Sequence, residues 1–337
     1  MPGLPTVAGV YAVRGTDPTI GGTKSFPRFQ RLEVKNISLG SKKGHPSTER
    51  YPSPGKEDHE GSPSPSKLCI IIGEAGVQAS PDFQGKTRMK TTPEPLVDAH
   101  AHLDLLDGAP EAIRKAISKG ILAVIGVSMG AESMDRTMIL KEAFPQIVLP
   151  AFGLHPWQIE KEDLAETLGR LEENLRHGAA VGEIGLDYRI KTRKALQKKV
   201  FQKQLDLAKE KALPVIVHCR YSHQRALQMV EETGVPQAVF HWYSGPLELI
   251  DTIVDRGYFI SATPALAYSR MHQEAIRRAP LENILLETDC PVAYQGQEAT
   301  PSDVIRVCEQ VAFLKDRSCQ EVAGQTTENV KRFLGKA

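Results

Sequence analysis

The sequence predicts a (β/α)8 barrel with an N-terminal extension. Three observations lead there. Eight short apolar runs alternate with longer amphipathic ones over residues 96–337. That length, about 240 residues, is close to the ~250 typical of such barrels. Six of the eight runs turn ionisable at the same, C-terminal, end.

The extension comes first in the chain. Residues 1–95 hold 12 of the 23 prolines and 12 of the 27 glycines, a density that leaves little apolar surface to offset ordering entropy. This stretch is expected to be low-complexity and disordered. It carries 13 Lys+Arg against 9 Asp+Glu, so a basic tail precedes a mildly acidic body. Met89, just before the organised part, reads as an alternative natural start, with a regulatory or targeting tail as the rival.

The eight strand-like runs are 96–104, 121–129, 147–155, 180–188, 214–220, 237–244, 258–264 and 284–291. Helical patterns fall at 109–119, 132–144, 162–177, 192–212, 222–233, 246–256 and 269–279, followed by 302–315 and 318–334. A doubly wound open sheet is the alternative. It would usually place a glycine-rich phosphate turn after the first strand, where this chain has His100-Ala101-His102.

Catalytic groups of such barrels sit at the C-terminal ends of the strands. Alternation along the first strand puts His100 and His102 on one face. The later strand ends add His155, Glu183, His218, His241 and Asp289. An ionisable group inside a barrel is costly unless paired or metal-bound, so this convergence marks a site. Leaving His155 aside, four histidines and two carboxylates exceed what one open mononuclear site takes. They suit two divalent cations, with Glu183 as the bridge. His100, His102 and Asp289 are assigned to one ion, His218 and His241 to the other. Asp289 is also expected to take the proton of the attacking water. Imidazole and carboxylate donors suit Zn2+ or Mn2+, whereas Mg2+ prefers oxygen ligands; all three are candidates.

No apolar run approaches the ~20 residues of a membrane span, and no signal peptide is read at the N-terminus. Five cysteines form no CxxC pair, which fits a reducing compartment, so a cytoplasmic location is expected.

The motifs DAHAHLD (98–104), GLHPW (153–157), GEIGLDY (182–188), PVIVHCR (214–220), HWYSG (241–245) and LETDCP (286–291) together resemble the TatD family of metal-dependent hydrolases. They span essentially all of 96–337, in the family's order. The resemblance implies a (β/α)8 barrel, two divalent cations and phosphodiester hydrolysis on DNA by a water activated between the ions. It places the family's ligands on His100, His102, Glu183, His218, His241 and Asp289. His155 matches the strand-3 histidine taken to contact the substrate phosphate. The chain departs from the family pattern on the substrate side. Tyr221 stands where many members have Asp, the strand-6 motif is His-Trp-Tyr-Ser-Gly, and the loop 292–301 lacks the Arg-Asn-x-Pro pattern.

Other polar and aromatic residues near the site receive expectations too. Arg220 is expected to face phosphate, and Trp157 and Tyr243 to stack bases. Asp98 and Glu287 read as groups that orient ligand histidines or as buried hydrogen-bonding residues. His177, His223 and His272 read as surface residues. The basic run Arg189, Lys191, Arg193, Lys194, Lys198, Lys199 and Lys203 reads as a solvated helix face or a nucleic-acid track. The leading functional expectation is a TatD-like deoxyribonuclease. The alternatives are an amidase, lactonase or deacylase on the same metal site, and a non-catalytic binding scaffold, which the intact six-ligand set disfavours.

Overall fold

The computed structural model describes residues 95–335, and the expectations for the extension lie outside these described residues, its last residue apart. Eight parallel strands follow one another around a single sheet in the order β1 to β8. They are β1 (Leu96–Ala101), β2 (Ile121–Val127), β3 (Val148–Phe152), β4 (Ala180–Asp187), β5 (Val215–Arg220), β6 (Ala238–Phe240), β7 (Phe259–Ala262) and β8 (Ile284–Leu286). Between and after them lie α1 (Ala109–Ser118), α2 (Ala131–Ala143), α3 (Leu164–Asn174), α4 (Lys194–Glu210), α5 (His223–Thr233), α6 (Glu248–Asp255), α7 (Arg270–Arg278), α8 (Val304–Lys315) and α9 (Cys319–Phe333). The (β/α)8 barrel is therefore observed, and no open doubly wound sheet. Among the described residues no helix is long and apolar enough to cross a membrane.

Local sequence sets the helix limits. Asp163 caps α3 by accepting from the amides of Ala165 and Glu166. Gly234, in the left-handed region at φ 71°, ends α5. Ser318 and Glu321 form a reciprocal capping box at the start of α9. That helix anchors to the entry ends of the first and last strands. Thr327 Oγ1 donates to the Pro95 carbonyl at 2.8 Å. Asn329 Nδ2 donates to the carbonyls of Leu281 and Ile284, each at 2.8 Å. Val330 and Phe333 of α9 pack with Val97, Ile125, Ile216, Val239, Phe259 and Leu285 in one buried apolar cluster.

The barrel closes between β1 and β8 just past their ladders. The Asp289 amide donates to the His100 carbonyl at 2.9 Å, and the His102 amide to the Cys290 carbonyl at 2.8 Å. Asp98 stitches the same seam, accepting from the amide and hydroxyl of Thr288 at 2.9 and 2.6 Å.

The observed strands are shorter than the apolar-to-ionisable runs. His102, His155, His241 and Asp289 all stand beyond the strand limits. The chain turns out of the ladder there: Trp242 and Asp289 hold φ of 43° and 50°, values a regular strand excludes. The loop after β8 also forms a small hairpin, β9 (Ala293–Tyr294) with β10 (Gln297–Glu298), which sequence reading did not foresee.

Candidate metal centre

Glu183 lies in the middle of β4, with 2% of its surface exposed. Its placement depends on how closely β4 approaches β5. The register sets Gly185 opposite His218. Gly185 has φ 145°, and a Cβ there would lie 2.1 Å from the His218 carbonyl oxygen. Only glycine allows this approach. It brings Glu183 and His218 together, with His218 Nδ1 at 2.9 Å from Glu183 Oε1.

The structure gathers all six predicted ligands. Around Glu183 Oε2 stand His100 Nε2 at 3.5 Å and His102 Nε2 at 3.3 Å. Asp289 Oδ1 is 3.3 Å from His100 Nε2 and 3.4 Å from His102 Nε2. The two histidine nitrogens are themselves 3.3 Å apart. Donors about 2.0–2.2 Å from one tetrahedral ion lie roughly 3.3–3.5 Å from each other. Each of these separations has the length of a tetrahedral edge. On the other side, Glu183 Oε1 faces His241 Nε2 at 2.8 Å, His218 Nδ1 at 2.9 Å and His155 Nε2 at 3.5 Å. The donors around Glu183 Oε2 thus fit a divalent cation, whereas the 2.8 and 2.9 Å separations at Oε1 are those of hydrogen bonds.

The electrostatics agree. Burial alone would lower the His102 pKa, but hydrogen bonds to Asp289 and Glu183 outweigh it and push it up to about 10. His100, facing Glu183 and Asp289, and His241, facing Glu183 and Glu287, are likewise raised against burial. Burial would raise Glu183 and Asp289, but the surrounding histidines hold both carboxylates down. Without an ion the cluster therefore holds protons in its place. Metal uptake must release them, so apparent affinity should climb with pH between neutrality and about pH 10. Calorimetric Mn2+ titration of chelator-treated protein at pH 6.5, 7.5 and 8.5 checks this; a flat profile would contradict it.

His155 differs from its neighbours. Burial lowers its pKa to about 4, more than the nearby Glu183 raises it. Its Nδ1 accepts the Trp157 amide at 3.2 Å, which leaves the single ring proton on Nε2, facing the centre. His155 is thus a neutral donor with no lone pair free for an ion.

Two further carboxylates stand behind the ligand histidines. Glu287 Oε1 lies 3.3 Å from His241 Nδ1 and accepts the Trp242 amide at 3.0 Å. Asp187, fully buried, lies 3.3 Å from His218 Nε2 through Oδ2. The Nδ1 atoms of His100 and His102 are buried with no hydrogen-bond partner among the described residues. Asp187 carried no role in the sequence reading. The available signal was its place four residues after Glu183, on the same face of one strand.

Other expectations fare differently. Asp98 bonds the backbone amides of His100 and Thr288 and reaches no ligand ring, so it acts as a buried seam residue. Tyr243 offers no face to a base: its ring is 1% exposed, and its hydroxyl donates to the Pro246 carbonyl at 2.6 Å. The exposed aromatic at that rim is Tyr221, at 69%. Trp157 is half-buried, edge-on to His155, with its indole N–H on Asp187. Arg220 follows His218 by two residues and forms no ion pair among the described residues. His272 is a core residue: Nδ1 donates to the Tyr243 carbonyl at 2.7 Å and Nε2 accepts the Thr263 amide at 3.1 Å. His223 is half-buried against the Tyr243 ring, and His177 is exposed. Arg189, Lys191, Arg193 and Lys194, at the top of β4, are exposed, as are Lys199 and Lys203, with Lys198 half-buried. None of these seven has an acidic partner in a salt bridge among the described residues, and Lys194 lies over the Tyr188 ring at 4.5 Å.

Comparison with known proteins shows the family. The family model for TatD related DNase matches residues 97–335. Deoxyribonuclease TATDN3 of Homo sapiens is 29% identical over 260 residues, 72% of this chain and 95% of that protein. The uncharacterized metal-dependent hydrolase YabD of Bacillus subtilis (strain 168) is 31% identical over 254 residues, 71% of this chain and 98% of its own. The crystal structure of YjjV, a TatD homologue from Escherichia coli K12, superposes with a TM-score of 0.66 at 30% identity. It covers 71% of this chain and 97% of that one.

Proposed function

This chain belongs to the TatD family of metal-dependent hydrolases, and from that premise we propose that it is a deoxyribonuclease that uses two divalent cations to cleave phosphodiester bonds of DNA. The observation that supports this best is the pair of donor sets on either side of Glu183. Divalent cations held there would polarise a phosphoryl oxygen and lower the pKa of a water.

The residues divide the remaining work. His100, His102 and Asp289 hold one ion, His218 and His241 the other, and Glu183 both. The carboxylate of Asp289, beside His100 and His102, accepts the proton of the attacking water. His155 stays neutral at physiological pH and donates through Nε2 to a phosphoryl oxygen as negative charge grows there. Arg220 and the cations after β4 give a polyanion an attractive approach to the mouth. Trp157 presents its ring edge beside them.

The barrel, residues 96–337, is proposed to carry the whole activity. The test uses DNA with one labelled end, alongside ester and amide substrates, with Zn2+, Mn2+ and Mg2+ titrated into chelator-treated protein. DNA cleavage that vanishes with chelation and returns with metal is the expected result. A chain beginning at Met89 should cleave equally well. Hydrolysis of acyl substrates with no cleavage of DNA would replace this reading by a deacylase.

A further inference from the structure

We propose that Asp187 is a positioning residue that fixes the His218 ring proton on Nε2 and so turns the Nδ1 lone pair toward the ion beside Glu183. The inference rests on the assignment of His218 as a ligand, and deepens it.

The strand register explains why Asp187 is in place. Gly185 of β4 pairs with His218 of β5, and residues two apart on a strand share a face. Glu183 and Asp187 therefore flank the His218 ring, one on each side. His218 Nδ1 is 2.9 Å from Glu183 Oε1, and Nε2 is 3.3 Å from Asp187 Oδ2.

The remaining contacts of Asp187 restrict what it can do. Oδ2 also accepts the Trp157 indole N–H at 2.7 Å, and Oδ1 accepts the Arg189 amide at 2.9 Å. An indole N–H and a backbone N–H can only donate, so both oxygens are committed as acceptors. An ionised carboxylate has no proton to give, so what His218 presents at Nε2 is a proton. A neutral imidazole has one N–H and one lone pair, which leaves the lone pair on Nδ1.

The backbone that carries this carboxylate is held in place. The Asp187 amide donates to Gln197 Oε1 at 2.9 Å, and Gln197 Nε2 donates back to the Asp187 carbonyl at 2.8 Å. Gln197 is itself fully buried and holds the Thr192 carbonyl at 2.9 Å. The first turn of α4 thus clamps the end of β4.

Asparagine cannot substitute. With its oxygen toward Trp157 and His218, its amide group would oppose the Arg189 N–H, donor against donor. Flipped, it would donate toward Nε2 and drive the ring proton to Nδ1, the atom the ion needs.

The test uses the full chain. Ring 15N–1H correlation spectra of [15N]histidine-labelled protein loaded with Zn2+ are recorded, with His218 assigned by its loss in His218→Gln. The expected spectrum has the His218 proton on Nε2. Calorimetric Zn2+ titration of Asp187→Asn should show one ion bound 10–100-fold more weakly, the usual cost of losing such a partner, with the other unchanged. A His218 proton on Nδ1, or a folded Asp187→Asn that binds both ions like the wild type, overturns the inference. Wild-type protein that takes up no Zn2+ would instead sink the metal-centre reading. The ring proton is then read in metal-free protein at pH 9, where Nδ1–H again overturns the inference and Nε2–H supports it.

Discussion

Glu183→Gln is expected to yield a folded protein that has lost most of its activity and binds metal at least about a hundredfold more weakly, beyond the 10–100-fold typical of an outer partner. The substitution keeps the shape and removes a charge. Glu183 Oε1 and Oε2 together face five histidine nitrogens between 2.8 and 3.5 Å. Among the described residues no other carboxylate forms ion pairs with both groups of histidines, so neither ion keeps its full set. Metal content per chain, read by elemental analysis after gel filtration, decides the matter together with turnover. A variant that keeps both ions and a normal rate would remove Glu183 from the centre. A variant that fails to fold would show that Glu183 is needed for the barrel itself.

His155→Ala should behave in the opposite way on metal and in the same way on turnover. The ring donates through Nε2 and lends no lone pair, so both ions should stay bound. Turnover on DNA should fall by roughly a hundredfold, the scale of losing one transition-state donor. An aryl phosphodiester with a good leaving group should lose less, because its departing oxygen needs less help. Loss of metal would make His155 a ligand, and equal rates on both substrates before and after substitution would make it a bystander.

The proposed ligands were legible because each stands within or at the end of an apolar run, where an ionisable residue has few structural explanations. The (β/α)8 order was legible for a related reason: strands covered on both faces read as continuous apolar stretches. Tyr243 was misplaced because it lies past the β6 ladder, which ends at Phe240, where no strand pattern sets its direction. The chain turns at Trp242, whose φ is 43°, and Tyr243 is buried. His272 was misread because its burial depends on two distant backbone groups, the Tyr243 carbonyl and the Thr263 amide. No local pattern encodes those. Asp187 stood in plain view within GEIGLDY, but its partners come from three separate segments. Trp157 follows β3, His218 belongs to β5, and Gln197 to α4.

The seam between β1 and β8 has a consequence for biosynthesis. Its hydrogen bonds link His100 and His102 to Asp289 and Cys290. Three of the six proposed ligands therefore meet only where the barrel's beginning joins its end. On a ribosome working at ~5–20 residues per second, the histidine pair emerges roughly 10–40 s before Asp289 is made. Val330 and Phe333, which pack against Val97, are translated later still. A nascent chain or a prematurely stopped one has the imidazoles without the carboxylate that completes their set. A chain stopped before Asp289 is therefore expected to be inactive, even where its earlier strands have formed.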